Sequence, residues 1–408
     1  MAMQVLILSP GTRGDVAPAT GLGAAFVADG HRVTIVANSE YEALVTGAGC
    51  SIAPITAPIT PPSGTVGARG VRAHLATLRT YMDQAATAAL AAAVGAEAVL
   101  TNAISPYGHD IAEHLGVPSA EALLQPSQPS AAYPPMIASG TDLGRVGNRM
   151  AGHLAQQVRT PYDPARQRVR SELGLPPESR RAAQRRRRSQ GLPIHHGISP
   201  AVLPRPDDWP AELTLDGFWW PHEPDDWAPP PSLLEFLDAG PAPVVVTLGS
   251  IPTSSATARA VADALTATKA RAVLQGEDLR QVAEHLGSPD ILHVGEVPHS
   301  WLLPRAAVVV HQAGAGITSA TLRAGIPSVT LPVHTDQPFW ARRLVALDAG
   351  TEPIPAKDAD GGRLAAAITT ALSSRQLRDG AHAVRDALRG ENSTLPLQSW
   401  LRRLAVTS

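Results

Sequence analysis

Residues 298–340 read P-H-S-W-L-L-P-R-A-A-V-V-V-H-Q-A-G-A-G-I-T-S-A-T-L-R-A-G-I-P-S-V-T-L-P-V-H-T-D-Q-P-F-W. The apolar run at 307–310 predicts a buried strand that ends in His311. A turn of Gly and Ala follows, then a helix, a second buried strand and the pair Asp336 and Gln337. A turn of small residues between strand and helix brings backbone N–H groups and the positive end of a helix dipole to a bound anion. His311 stands where the strand delivers its side chain to that same anion.

Outward from this stretch the pattern repeats. Strands predicted at 244–248, 272–274, 291–294, 307–310 and 328–331 alternate with helices at 256–269, 278–286, 317–324 and 338–347. The first half does likewise, with strands at 5–8, 33–37 and 99–102 and helices at 17–29, 40–46 and 108–115. Continuous rather than alternating hydrophobicity in the strands marks parallel sheets covered on both faces. The fold class is therefore α/β, with two doubly wound Rossmann-like domains facing a central cleft, where such folds present their ligand loops.

Between the halves, 221–232 reads P-H-E-P-D-D-W-A-P-P-P-S, a composition that suits a stiff connector. The expected organisation is 1–220, a linker at 221–240, a second domain at 241–390, and a C-terminal helix at 391–408 that packs back toward the first domain.

At 408 residues and 44% hydrophobic, the chain is long enough for two cores. Lys plus Arg number 34 against 36 Asp plus Glu, so no global field draws in nucleic acid. Only 4% of residues are aromatic, too few for base-stacking platforms. A lone cysteine, Cys50, excludes a disulfide framework and a multi-cysteine zinc site. The segment 85–100 is Ala-rich but interrupted by Thr87, Gly95 and Glu97, which falls short of a membrane span. The expectation is a cytoplasmic protein with no stable membrane insertion, as monomer or homodimer.

Asp15 lies in the loop Gly11, Thr12, Arg13, Gly14 that follows the first strand. Its carboxylate suits a general base facing the cleft, or a cap for the helix that begins near Pro18. Asp336 is a sugar-hydroxyl acceptor or an N-cap, and with Gln337 it offers acceptors plus an amide donor. Gly21 and Gly23 read as close helix packing rather than a dinucleotide fingerprint, and no G-x-x-x-x-G-K-[ST] loop is present. The D-x-D of Asp358 and Asp360 precedes two glycines away from any strand end and reads as a solvated turn. His195 and His196 lack partners at metal-ligand spacing, so no metal site is expected. The six arginines within 180–188 read as a solvated helix face or a mobile loop.

The stretch His311-Gln312-Ala313-Gly314-Ala315-Gly316-Ile317-Thr318 resembles the H-H-G-G-A-G-T-T phosphate signature of the GT-B glycosyltransferases of family 1. The likeness is to bacterial natural-product glycosyltransferases and sterol glucosyltransferases in particular. The D-Q-P-F-W ending, the P-H-x-W-L-L-P segment and S-P-A-V-L-P-R-P-D-D-W-P at 199–210 are similar to that group as well. The resemblance is strong over 199–354, weaker over 5–125 and poor over 127–196.

What the resemblance implies is an inverting, metal-independent hexosyltransferase without a cofactor, using a UDP- or dTDP-sugar as co-substrate. His311, Gly314, Ala315, Gly316 and Thr318 would hold the donor diphosphate, with Gly249 and Ser250 adding to it. Val297, Pro298, His299 and Trp301 would receive the nucleoside, and Asp336 and Gln337 the donor sugar. Asp15 would be the base in a G-[ST]-R-G-D loop. Gln312, Ala313 and Ile317 depart from the signature and bear on donor choice more than on fold. The acceptor expected from the Ala-, Pro-, Tyr- and Met-containing segments 58–90 and 125–150 is a small apolar aglycone of antibiotic type. The competing readings are a nucleotide-sugar epimerase and a non-catalytic nucleotide-sugar-binding auxiliary protein.

Overall fold

Valine-rich runs that are buried along their whole length form two adjacent central strands in one of two parallel sheets. A computed structural model of the chain describes residues 2–59, 67–136, 141–223, 227–249 and 253–407.

The first half opens with β1 (Gln4–Leu8), α1 (Arg13–Ala28), β2 (Arg32–Asn38), α2 (Glu42–Gly47), β3 (Ser51–Ile55) and α3 (Gly67–Ala92). It continues through β4 (Ala98–Thr101), α4 (Gly108–Leu115) and β5 (Ser119–Leu123). Next come α5 (Gly144–Ala155), α6 (Asp163–Glu172), α7 (Arg180–Ser189), β6 (Ile194–His196) and β7 (Leu213–Leu215). The second half has α8 (Pro231–Asp238), β8 (Val244–Thr247), α9 (Ser255–Thr268), β9 (Ala272–Gln275), α10 (Arg280–Leu286) and β10 (Ile291–Val294). It then has α11 (His299–Leu302), β11 (Val308–His311), α12 (Ala315–Ala324), β12 (Ser328–Thr330) and α13 (Gln337–Ala346). Helices α14 (Gly361–Ser373), α15 (Arg375–Leu388) and α16 (Leu395–Thr407) close the chain.

The seven-stranded sheet runs β3-β2-β1-β4-β5-β6-β7 and the five-stranded sheet β10-β9-β8-β11-β12, all pairs parallel. Strand order reverses beside β1 in the first sheet and beside β8 in the second. Ligand crevices open at such switch points, beyond the carboxyl ends of the strands. The loops after β1, β8 and β11 are therefore the ones placed to hold ligand.

Two packing features fix the halves against each other. Tyr133, Trp209 and Phe218 share a buried cluster with Phe339, Trp340 and Leu344 of α13, where Tyr133 meets the Phe339 ring edge-on at 5.8 Å. Helix α16 returns to the first half, burying Leu397, Trp400 and Leu401 against Leu22 and Phe26 of α1. The glycines of α1 serve this packing. A Cβ at Gly21 would stand 1.8 Å from the Trp220 carbonyl oxygen, and one at Gly23 2.5 Å from Cys50 Sγ.

Several sequence expectations are corrected here. Helix α1 starts a turn earlier than expected, so Asp15 belongs to its first turn rather than to a loop. The arginine run forms α7, and its middle is not solvated. Arg186 pairs with Glu178 and Glu113, both at 2.9 Å, and Arg187 lies largely buried near Glu121 with the Pro106 carbonyl as acceptor at 3.1 Å. Fully buried Asp110 beneath them takes Arg166 at 2.7 Å and Arg170 at 2.5 Å, which ties α4 to α6. Removing one member of such a buried pair typically costs ~3–5 kcal/mol. Elsewhere His195 is held by Asp216 at 2.7 Å, and His196 stacks on Trp209 at 4.8 Å, with burial lowering its pKa to about 4. Asp360 caps α14 by accepting the Arg363 N–H at 2.9 Å. Among the described residues no helix is long and apolar enough to cross a membrane.

Candidate active site

On the first-half side the site is built from the β1–α1 connection. Gly11 turns with φ +134°, a conformation that disfavours any side chain, and a Cβ there would come 2.3 Å from Asp15 Oδ2. The turn is held by Tyr81 of α3, whose hydroxyl oxygen accepts the Gly11 N–H at 2.6 Å and whose O–H donates to Asn38 Oδ1 at the end of β2. Thr12 then begins α1, and its N–H donates to Asp15 Oδ2 at 2.9 Å. Asp15 thus caps the helix with one oxygen. Among the described residues no hydrogen bond engages Oδ1. Burial, with a smaller push from the Asp336 charge, raises the Asp15 pKa to about 6 against the pull of the Thr12 bonds.

Facing it is the carboxyl edge of the second sheet. His311 ends β11, fully buried, and its Nδ1 accepts the Ala313 N–H at 3.0 Å. A neutral imidazole that accepts at Nδ1 carries its proton on Nε2. Burial, reinforced by His299, lowers the His311 pKa to about 3, so the ring is neutral, and Nε2 is a buried donor with no partner among the described residues. Ala313 sits at φ +60°, where glycine is preferred, which confirms the backbone demand at that position while a methyl group occupies it.

Gly314 is the N-cap of α12, and the N–H groups of Ala315, Gly316 and Ile317 lie in the unpaired first turn. A Cβ on Gly314 or Gly316 would meet nothing within 4 Å. Packing does not require those glycines, whereas a ligand seated on the helix end does. The Thr318 hydroxyl is likewise buried without a partner among the described residues. Gln275 Oε1, at the end of β9, is a further orphan, its amide nitrogen being spent on the Val297 carbonyl at 2.7 Å. Buried polar atoms of this kind are among the described orphans of the molecule, and these three lie at the carboxyl edge of the second sheet, where they offer polar groups to a ligand.

Gly249 follows β8 with φ +72° and would bring a Cβ to 3.5 Å from Gln312 Oε1, so Gln312 closes the gap between the two loops. Ser250 lies outside the described residues. Val297 is buried, Pro298 is the N-cap of α11, and His299 is pushed down to about 4 by burial and by Arg13 from the opposite half. Arg305 lies over the Trp301 ring at 4.0 Å, with Trp227 edge-on at 5.4 Å. Arg13 also reaches across to Glu296 at 2.9 Å.

Asp336 precedes α13 but makes no side-chain cap. Its Oδ2 accepts the Trp340 indole N–H at 3.2 Å, and its Oδ1 accepts the Thr335 hydroxyl at 3.1 Å. Gln337 gives its Oε1 to the Val333 N–H at 2.7 Å, which leaves its amide nitrogen as the group available to a ligand. Tyr81, Asn38, Gln275 and Glu296 enter the site unannounced by the sequence. Tyr81 lies on a helix without a motif, and Glu296 directly precedes the Val297–Trp301 segment.

A donor edge with a neutral histidine and an open helix N-terminus faces a carboxylate poised near neutrality. The family model for the C-terminal domain of erythromycin biosynthesis protein CIII-like proteins matches residues 259–396. The chain is 30% identical to an O-mycaminosyltylonolide 6-deoxyallosyltransferase of Streptomyces fradiae, over 98% of this chain and 97% of that one. It belongs to the GT-B glycosyltransferases.

A sterol 3-beta-glucosyltransferase of Pichia angusta is 28% identical over 94% of this chain, which spans 32% of that longer relative. Two solved glycosyltransferases share the GT-B architecture. The kitacinnamycin enzyme gives a TM-score of 0.72 at 21% identity, with 99% of both chains covered. SsfS6 of Streptomyces sp. SF2575, complexed with thymidine diphosphate, gives 0.60 at 21% identity, covering 98% of this chain and 99% of that one. The two-sheet glycosyltransferase fold and the sugar-transfer activity are thereby established for this chain.

Proposed function

We propose that this glycosyltransferase moves a hexose from a nucleoside-diphosphate sugar to a hydroxyl of a small, largely apolar natural-product aglycone, with inversion and with Asp15 as general base. The observation that carries the reading is the Asp15 carboxylate, raised to about 6 with one oxygen free, across the cleft from the His311 and α12 cradle. In the reaction the acceptor O–H proton passes to Asp15 while the acceptor oxygen bonds to the anomeric carbon. The bond from that carbon to the diphosphate breaks, and its electron pair leaves with the nucleoside diphosphate. Inversion follows from a single displacement with the acceptor on the Asp15 side. Positioned base catalysis supplies about 10²- to 10⁴-fold. The charge growing on the leaving group falls on the His311 Nε2–H and the amides of Ala315, Gly316 and Ile317, and donors fixed in advance are commonly the larger contribution.

Gly314, Gly316, Thr318 and the loop from Gly249 to Ser250 complete the diphosphate cradle in this reading. Val297, Pro298, His299 and Trp301 receive the nucleoside, and Asp336 with the Gln337 amide holds the sugar. The thymidine diphosphate bound by SsfS6 makes a dTDP-sugar the first donor to try, and the macrolide acceptor named for the Streptomyces fradiae relative makes a macrolide-like aglycone the first acceptor. Both sides of the cleft come from one chain, so a monomer or a homodimer serves equally. With a nucleotide sugar as donor we place the reaction in the cytoplasm.

The deciding experiment is Asp15→Asn in the full chain, assayed with a donor panel and one promiscuous phenolic acceptor. Transfer should vanish while nucleoside-diphosphate affinity stays within a few-fold. Full turnover by that variant removes Asp15 from the mechanism.

A further inference from the structure

Helix α5 is docked the opposite way round from an ordinary amphipathic surface helix. Its inward face is made of the small or polar residues Asn148 and Gly152, fully buried, with Gly147, Ala151 and Ala155 beside them. The fit is close, since a Cβ on Gly152 would stand 2.9 Å from Pro129 Cα, and Asn148 is fixed by accepting the Leu143 N–H and donating to Asp142, at 2.9 and 2.8 Å. The large apolar residues Leu143, Val146, Met150, Leu154 and Val158 point outward, between 49% and 73% exposed. Val146, Met150 and Leu154, spaced four and four, lie in one stripe of α5 about 12 Å long at helical rise, and Leu143 and Val158 stand just before and just after the helix.

The border of the stripe is cationic. Arg145, Arg149, His153 and Arg159 are exposed along α5 and just beyond it, and neither α5 nor α7 contains an Asp or Glu. Helix α7 lies alongside, with Arg181 donating to Gln157 and Arg188 to Gln156 at 3.1 Å. Arg180, Arg186 and Arg187 of the same run meet carboxylates, whereas Arg181, Arg185 and Arg188 have no carboxylate partner among the described residues. Arg149 approaches Asp208 only at 3.9 Å, and Asp142, at the N-terminal end, is occupied in capping. The chain as a whole carries a formal net charge of −2, so this positive field belongs to one face.

We propose that the α5–α7 face binds the surface of an anionic lipid bilayer. An aliphatic stripe flanked by unpaired arginines matches what an interfacial helix needs, apolar side chains at the acyl boundary and cations at the level of the phosphates. A protein partner is the less suited occupant. The stripe is a row of apolar side chains with no Trp or Tyr anchor of the kind that dominates protein interfaces. The excess of cations calls for an extended sheet of negative charge.

The test is co-sedimentation of the full chain with phosphatidylcholine vesicles prepared with and without phosphatidylglycerol. Binding should require phosphatidylglycerol and weaken as salt is added. The triple change Arg181→Ala, Arg185→Ala, Arg188→Ala should weaken it by about tenfold or more. The double change Leu154→Asp, Val158→Asp should abolish it while transfer to a water-soluble acceptor persists. If the aspartate pair proves unfolded by circular dichroism, the arginine triple, confined to exposed side chains, carries the test. Absence of binding to the anionic vesicles, or equal binding to neutral ones, overturns the proposal. So does a dimer that the aspartate pair dissociates while vesicle binding is unchanged, which would assign the face to a second copy of the chain.

Discussion

Of the two roles the sequence presents for the Asp15 carboxylate, the structure shows the cap, made through Oδ2, and among the described residues leaves Oδ1 without a hydrogen bond. Its pKa near 6 makes it roughly nine-tenths ionised at pH 7. The rate under kcat/KM conditions should therefore climb with pH through about 6 and level above it, and a flat profile from pH 5 to 8 would separate the rate from this group. The stability effect has the opposite sense. A carboxyl whose folded pKa is raised from 3.8 to about 6 loses its owner stability as pH rises across that window. Asp15→Asn keeps an oxygen for the Thr12 N–H and removes the charge, so at pH 8 the inactive variant should melt no lower than the wild type in calorimetry. Tyr81 supports the same turn from outside the motif. Tyr81→Phe strips the Gly11 N–H and Asn38 of a buried partner, a cost of about 1–3 kcal/mol. It should lower kcat with donor KM unchanged, and equal losses in both would show a general structural defect instead. The positions of Asp15 and His311 could be read because His311 ends a buried strand and Asp15 follows the first strand through a loop of small residues, although that loop already belongs in part to α1. That of Tyr81 could not, because its role depends on α3 reaching back to a loop 70 residues away.

At the scale of elements, the strands of the second half were legible to within a residue or two, because a strand buried on both faces leaves an uninterrupted apolar run. Helices α3, α5 and α6 went unread, and α7 was read only as a solvated helix face or a mobile loop. Their packing uses Ala, Gly and buried ion pairs, which carry little hydrophobic periodicity, and α5 turns its apolar residues outward. Asp336 shows the same limit at a helix start, where a cap-like position is bonded to Trp340 instead. Helix α12 gives an element-scale prediction. Gly316 lies in its first turn facing open space, so Gly316→Ala should leave the fold intact or stabilise it by up to about 1 kcal/mol through helix propensity. In the proposed cradle the same methyl group would stand against the diphosphate, so affinity for nucleoside diphosphates in calorimetric titration should fall at least several-fold. Unchanged affinity together with raised stability would move the diphosphate off this helix end.

Across the whole molecule, the cleft depends on how the two sheets are joined, and the direct contacts over its mouth are weak. The Arg13–Glu296 pair is exposed on both sides, and such pairs contribute ~1 kcal/mol or less. The joint lies instead in the aromatic cluster around Trp340 and in α16, which leaves the second half to bury Trp400 against α1, the helix whose first turn holds Asp15. Trp219 adds to this seam by donating its indole N–H to the Ser393 carbonyl at 3.1 Å. A return helix of this kind couples the half that holds Asp15 to the half that holds His311 through buried apolar area rather than through charge. Trp400→Ala should therefore cost about 3–5 kcal/mol in denaturant unfolding, as for a large aromatic removed from a core. It should also reduce turnover more than nucleoside-diphosphate affinity, because the cradle around His311 lies wholly in the second half while Asp15 is set by α1. A variant with unchanged stability, or with donor affinity lost in parallel with turnover, would show that α16 does not set the relation between the two faces of the cleft.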